Sequence, residues 1–124
     1  MSASRVRLLV AGVATGALAV VAAACGADGT RSAADRGEAI YGANCAQCHG
    51  ADLAGTERGP SLLEPVYLRG ELTDAAVADA IRNGVAERRW DFGPMPANGA
   101  LSDSQIDAVV EFLRAEQEAV GVSP

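Results

Sequence analysis

The residues of this chain best suited to chemistry stand within five consecutive positions. Cys45-Ala46-Gln47-Cys48-His49 is a C-x-x-C-H motif, the attachment signature of a c-type haem. Two residues between the thiols let both sulfurs reach the vinyl groups on one edge of a porphyrin and form thioethers. The histidine, next in the chain, then lies under the iron and offers an imidazole nitrogen as an axial ligand. Three other readings of the pair compete. A redox-active dithiol needs a strand-to-helix context, and residues 34–124 contain no alternating apolar run of strand type. A structural zinc site needs four ligands, whereas the cysteines and histidine available are Cys45, Cys48, His49 and the distant Cys25. A disulfide between Cys45 and Cys48 closes a very small ring and leaves His49 unexplained.

A second axial ligand can be approached by elimination. Residues 25–124 hold one histidine, no lysine and one methionine, Met95. Met95 lies in Gly93-Pro94-Met95-Pro96-Ala97-Asn98-Gly99, where prolines and glycines exclude a helix or strand face. Such a loop is constrained enough to hold a thioether sulfur against an iron. The alternative is a methionine that merely fills a gap in the core.

These groups need helices to position them, and the sequence supplies three. Over 102–118, Ser102 stands as N-cap with Gln105 three residues on, a capping box, and Leu101 and Ile106 sit where a hydrophobic staple would. Ile106, Val109, Val110 and Leu113 follow the i, i+3, i+4, i+7 pattern of one apolar face. A second helix is predicted over 74–83, starting after Thr73 and stopping at Asn83-Gly84, with Val77, Ala80 and Ile81 on its face. A third covers 34–44, with Gly37, Ile40, Tyr41 and Asn44 on one side. Glycine at position 37 sacrifices about 1 kcal/mol of helix propensity relative to alanine, which close packing against another helix would explain. Gly37 and Tyr41 are therefore expected to cross the last helix near Val109, Phe112 and Leu113. The stretches 50–71 and 85–100 are rich in glycine and proline and read as loops.

A chain of 124 residues is bounded at one domain once an export segment is set aside. Only 4% of residues are aromatic, so a core of this size has room for an apolar cofactor. All ten basic residues are arginine. Without Arg5 and Arg7, eight arginines face 16 acids, a net charge of −8. Nucleic acid is excluded as a partner, because phosphate binding needs basic stripes. The acids read as a solubilising surface.

Residues 1–24 read as an export signal cleaved before Cys25: Arg5 and Arg7 precede an apolar run from Leu8 to Ala24 that ends in Ala22-Ala23-Ala24. With Cys25-Gly26 following at once, the segment resembles a bacterial lipoprotein signal, which implies a lipid on Cys25 and a membrane-anchored protein. Ala22 stands where such signals place a large aliphatic residue. An ordinary signal cleaved before Cys25, or an uncleaved anchor, are the other readings. All three put the domain on the outer side of the cytoplasmic membrane. Residues 25–33, small and polar, are expected as a flexible tether, and 34–124 as the folded domain.

Across 34–118 the chain resembles the small single-haem cytochromes c of class I. Gly37 and Tyr41 precede the haem motif at the family's spacing, and Gly50 follows the histidine. Gly59-Pro60-Ser61-Leu62 matches the family loop, Gly93-Pro94-Met95-Pro96 the methionine loop, and Phe112-Leu113 the last helix. The resemblance implies an all-α fold in which N- and C-terminal helices cross and loops wrap one covalent haem c. It implies that the Pro60 carbonyl receives the other N–H of His49 and so fixes the imidazole tautomer. Leu62, Leu63, Val66, Tyr67, Leu68, Trp90 and Phe92 are then expected to wall the haem. Trp90 can offer an indole N–H to a propionate, or serve as an apolar plate. Arg58, Arg69, Arg88 and Arg89 are candidate propionate partners, with solvated surface charge as the default.

With His49 and Met95 both bound, no iron position is open to substrate. That ligand pair raises the potential and suits one-electron transfer. The expected function is a carrier or tethered relay in a respiratory chain, between a quinol-oxidising complex or dehydrogenase and a terminal oxidase or reductase. Two rivals remain: a cytochrome subunit of a larger dehydrogenase or oxidase, and a haem sensor or weak peroxidase with labile Met95 ligation.

Overall fold

A computed structural model describes residues 27–89 and 91–121. The predicted export segment, Cys25 and Trp90 lie outside the described residues. The elements, in order, are helix α1 (Ala27–Asn44), the single turn α2 (Ala46–His49), a 3₁₀ turn at Pro65–Tyr67, α3 (Asp74–Asn83) and α4 (Asp103–Ala119). Among the described residues there is no β-strand, only isolated bridges between Thr56 and Gly59 and between Val85 and Met95.

Local chemistry sets the helix ends. The Thr73 side chain accepts from the Ala76 N–H and starts α3, which stops at Gly84 with φ of 76°. At α4 the capping box is complete: Ser102 Oγ accepts from the Gln105 N–H, and the Gln105 side chain accepts from the Ser102 N–H at 2.9 Å. Helix α1 departs from expectation. It begins at Ala27, so residues 27–33 form its first two turns instead of a tether. Only Ala27, Arg31 and Ala33 of these are strong helix formers; the others join because elongating a helix costs little once it is nucleated at 34–44.

Helices α1 and α4 form the main packing layer. Gly37 makes their crossing possible: a Cβ there would collide with the backbone carbonyl of Ala108 and lie 2.8 Å from Phe112 Cβ. Close by, the rings of Tyr41 and Phe112 meet with centroids 5.3 Å apart, tilted by 48°, a favourable aromatic geometry. Tyr41, Val77, Ile81, Ile106, Val109, Val110, Phe112 and Leu113 form one buried cluster with Leu53. Three helices thus share a core whose open side faces α2 and the two long loops.

Candidate functional site

Helix α2 is where α1 hands the chain to the first loop. The Cys45 N–H still donates to the Tyr41 carbonyl at 2.7 Å, and the Cys45 carbonyl accepts from the N–H groups of both Cys48 and His49 at 3.0 Å. Two cysteines and a histidine are therefore held on a single turn fixed to the end of α1. Loop 50–61 folds back over this turn. The Gly55 N–H donates to the His49 carbonyl at 2.8 Å, and Thr56 Oγ1 donates to the Cys48 carbonyl at 2.7 Å. Gly59 is required here, since a Cβ would sit 2.9 Å from the Cys48 carbonyl oxygen. Leu53 pins the loop. It adopts φ of 61°, a strained choice for a bulky residue. Its side chain is only 1% exposed, and its carbonyl accepts from the Leu62 N–H at 2.8 Å.

The fold of this loop brings the Pro60 carbonyl to 3.0 Å from His49 Nδ1. A proline carbonyl can only accept, so Nδ1 carries the proton, and in the neutral imidazole it is then Nε2 that keeps the lone pair an iron ligand needs. Tyr41, buried, donates its hydroxyl to the Gly50 carbonyl at 2.7 Å. Burial holds its proton more tightly than usual, and the nearby Cys45 and Asp52 add to this. Burial also pushes the Cys45 thiol up to about 11, with Cys48 contributing; a thioether would remove that proton altogether.

Met95 reaches the same cleft as His49 from the chain that follows α3. Its N–H donates to the Val85 carbonyl at 2.9 Å and its carbonyl accepts from the Val85 N–H at 3.0 Å. This bridge closes loop 86–94 and ties Met95 to Val85, two residues beyond α3. The Asn98 N–H donates to the Ile81 carbonyl at 2.8 Å and steadies the chain beyond it.

Cys45, His49 and Met95 line one cleft of about 490 Å³, along with Pro60, Leu62, Tyr67, Leu72, Val77, Ile81, Val109 and Leu113. Its size falls in the ~300–1,000 Å³ range of cofactor pockets. The lining is mostly apolar side chain, with an imidazole lone pair, a thiol and a thioether sulfur brought together. This donor set and these walls fit a haem attached through the α2 turn.

The structure redistributes several expected roles. Cys48 is half-buried beside Gly59 and is not one of the residues lining the cleft. Of the expected wall, Leu62, Tyr67 and Phe92 line the cleft, whereas Leu63, Val66 and Leu68 do not. In an irregular loop, the side chain that turns inward is set by each residue's own backbone bonds; Leu62, Leu63 and Leu72 all pack against the core, but of the three only Leu62 and Leu72 also face the cleft. Arg88 and Arg89 lie at the cleft with Asp79 and Glu87. Arg69 pairs instead with Asp74 at 2.8 Å, and Arg58 is exposed away from it. Sequence reasoning missed Arg114 and Gln117, which are 3% and 2% exposed. A signal was present: with Val110 they continue the i, i+4, i+7 register of the apolar face of α4.

The chain matches the family model described as "Cytochrome C oxidase, cbb3-type, subunit III" over residues 32–113. It is 31% identical over 108 residues to cytochrome c-551 of Bacillus subtilis, covering 78% of this chain and 86% of that protein. It is 36% identical over 87 residues to the cbb3-type cytochrome c oxidase subunit CcoP of Cereibacter sphaeroides, covering 65% of this chain and 30% of that subunit. With CcoP of Rhodobacter capsulatus it shares 34% over 83 residues, which is 62% of this chain and 28% of the subunit. The chain thus spans less than a third of the CcoP subunits it matches. No solved structure matches it at comparable significance. The motif, the all-helical fold and these matches agree, and the chain belongs to the cytochrome c family as a class I, single-haem electron carrier with covalently bound haem c.

Proposed function

We propose that this chain is a membrane-held relay that passes single electrons on the outer side of the cytoplasmic membrane, with a terminal oxidase as its acceptor. Cys45 and Cys48 would hold the haem by thioethers, and His49 and Met95 would be the ligands of its iron. Bound haem supplies a one-electron couple at its iron. The chain's own residues do the rest. Pro60 holds the imidazole by its Nδ1–H, which would leave Nε2 as the ligand atom. The Val85 bridge holds the Met95 sulfur in place, which a weak thioether ligand needs. Apolar side chains from α3 and α4 keep water from the ring, which favours the less charged ferrous state and limits rearrangement between oxidation states. The observation that carries this reading is the convergence of Cys45, His49 and Met95 on one apolar cleft.

The oxidase as acceptor is supported by the CcoP relatives. The same relatives favour a second reading, in which the chain is a cytochrome subunit that stays bound to an oxidase. Purification in mild detergent separates the two, since a relay comes away alone and a subunit brings its complex. Membrane attachment rests on Cys25 following a signal-like segment. Among the described residues no helix is long and apolar enough to cross a membrane.

The test is visible spectroscopy of the matured protein. The haem should stay with the polypeptide in acidified organic solvent, and in alkaline pyridine it should give the spectrum of a haem with both vinyl groups saturated. The ferrous protein should be low-spin and unmoved by carbon monoxide. Extractable pigment would sink the thioether assignment, and rapid carbon monoxide binding would sink Met95 ligation.

A further inference from the structure

The loop from Gly50 to Thr73 joins α2 to α3 with a single 3₁₀ turn as its regular structure. A loop of that length must find partners for its carbonyls wherever it is buried. Three of them go to side chains of α4. Arg114 Nη1 donates to the Tyr67 carbonyl at 2.7 Å and Nη2 to the Leu72 carbonyl at 2.5 Å. Gln117 Nε2 donates to the Leu62 carbonyl at 2.8 Å and to the Tyr67 carbonyl at 3.3 Å. The two side chains are also joined, Arg114 Nη1 donating to Gln117 Oε1 at 2.8 Å. Arg114 Nε donates to Asp74 Oδ1 at 2.8 Å, which supplies the counter-charge from the first turn of α3.

Leu62, Tyr67 and Leu72 are also, with Pro60, the residues of this loop that line the cleft. The loop is thus gripped by its carbonyls on one side and walls the haem cleft with its side chains on the other. A buried charged side chain is a poor way to gain stability, because an apolar residue of similar volume often does as well. What a guanidinium fork adds is geometry: planar donors that fix several acceptors at once.

We propose that Arg114, with Gln117, is the positioning residue that holds the Leu62–Leu72 wall against the haem and so sets the reduction potential. This rests on the haem reading given above. Releasing the wall admits water to the ring, stabilises the more charged ferric state and lowers the potential, with both iron ligands still in place.

The test compares wild-type holoprotein with Arg114→Met and Arg114→Lys. Arg114→Met should lower the potential while the ferrous spectrum stays low-spin and insensitive to carbon monoxide. Amide exchange at Leu62, Tyr67, Leu68 and Leu72 should quicken about tenfold or more, the change that losing one charge-assisted hydrogen bond brings. Arg114→Lys, which keeps the charge without the fork, should restore only part of the potential. An Arg114→Met protein that melts earlier but keeps the wild-type potential and loop exchange overturns the proposal. Should Arg114→Met yield no folded protein, Gln117→Leu asks the same question without touching the charge: a lowered potential supports the clamp, and an unchanged one overturns it. Wild-type protein that lacks a covalent haem overturns the haem reading itself, an outcome distinct from failure of the clamp alone.

Discussion

The backbone carbonyl of Ala108 occupies the space into which a side chain at Gly37 would project. Helices α1 and α4 cross at that point with nothing between their backbones. Gly37→Ala must push them apart, and overpacking of this kind costs about 1–3 kcal/mol. Alanine returns about 1 kcal/mol of helix propensity, but a clash with backbone belongs at the upper end of the overpacking range, so the net loss should be about 2 kcal/mol, a fall in Tm on the order of 10 °C. Thermal unfolding of the holoprotein checks it. A Tm at or above wild type would contradict the contact.

Tyr41→Phe removes the hydroxyl that donates to the buried Gly50 carbonyl, at a cost of about 1–3 kcal/mol. The same group makes stability depend on alkaline pH. Its proton is held more tightly in the folded protein than at the ordinary value of 10.0, through burial first. Below that pH both folded and unfolded chains keep the proton, and the stabilisation is fully present. Above it the unfolded chain releases the proton while the folded one retains it, so stability falls as pH rises. Denaturant titrations on both sides of pH 10.0 should therefore show a steeper alkaline decline in wild type than in Tyr41→Phe.

Met95→Ala leaves the Val85 bridge intact, because that bridge is made by backbone atoms, and removes only the sulfur. The sixth iron position should open, the potential should drop, and the ferrous protein should bind carbon monoxide. The haem should remain covalently attached, since the α2 turn is untouched. An unaltered spectrum would strike Met95 from the ligand set.

Cys25→Ser should move the protein from the membrane fraction to the soluble fraction if Cys25 carries the lipid. Fractionation with immunoblotting reads this directly. Retention together with an uncleaved N-terminus would point instead to the apolar segment as the anchor.

Ser102→Ala removes the side-chain half of the α4 capping box, leaving the backbone N–H that donates to Gln105, and should cost about 1 kcal/mol. Its effect should appear in stability alone, with the potential unchanged, because Ser102 is exposed and lies outside the cleft lining. A shift in potential would mean that the start of α4 communicates with the haem.

The parts of this protein whose physics is local were legible from its residues alone. The C-x-x-C-H spacing places its three groups on one turn whatever surrounds it. The capping residues Thr73 and Ser102 and the stop at Gly84 mark helix ends through bonds spanning only a few residues. A glycine and a tyrosine one turn apart on α1 foretold the crossing with α4. Tertiary structure alone decided what depends on distant chain segments. It brought the Pro60 carbonyl to His49, joined Val85 to Met95, and chose Leu62, Tyr67 and Leu72 over their neighbours as the cleft wall. It also buried Arg114, a residue type that on a helix is solvated by default. Burying a charge needs acceptors from elsewhere, and no local pattern says that loop carbonyls more than 40 residues away will supply them.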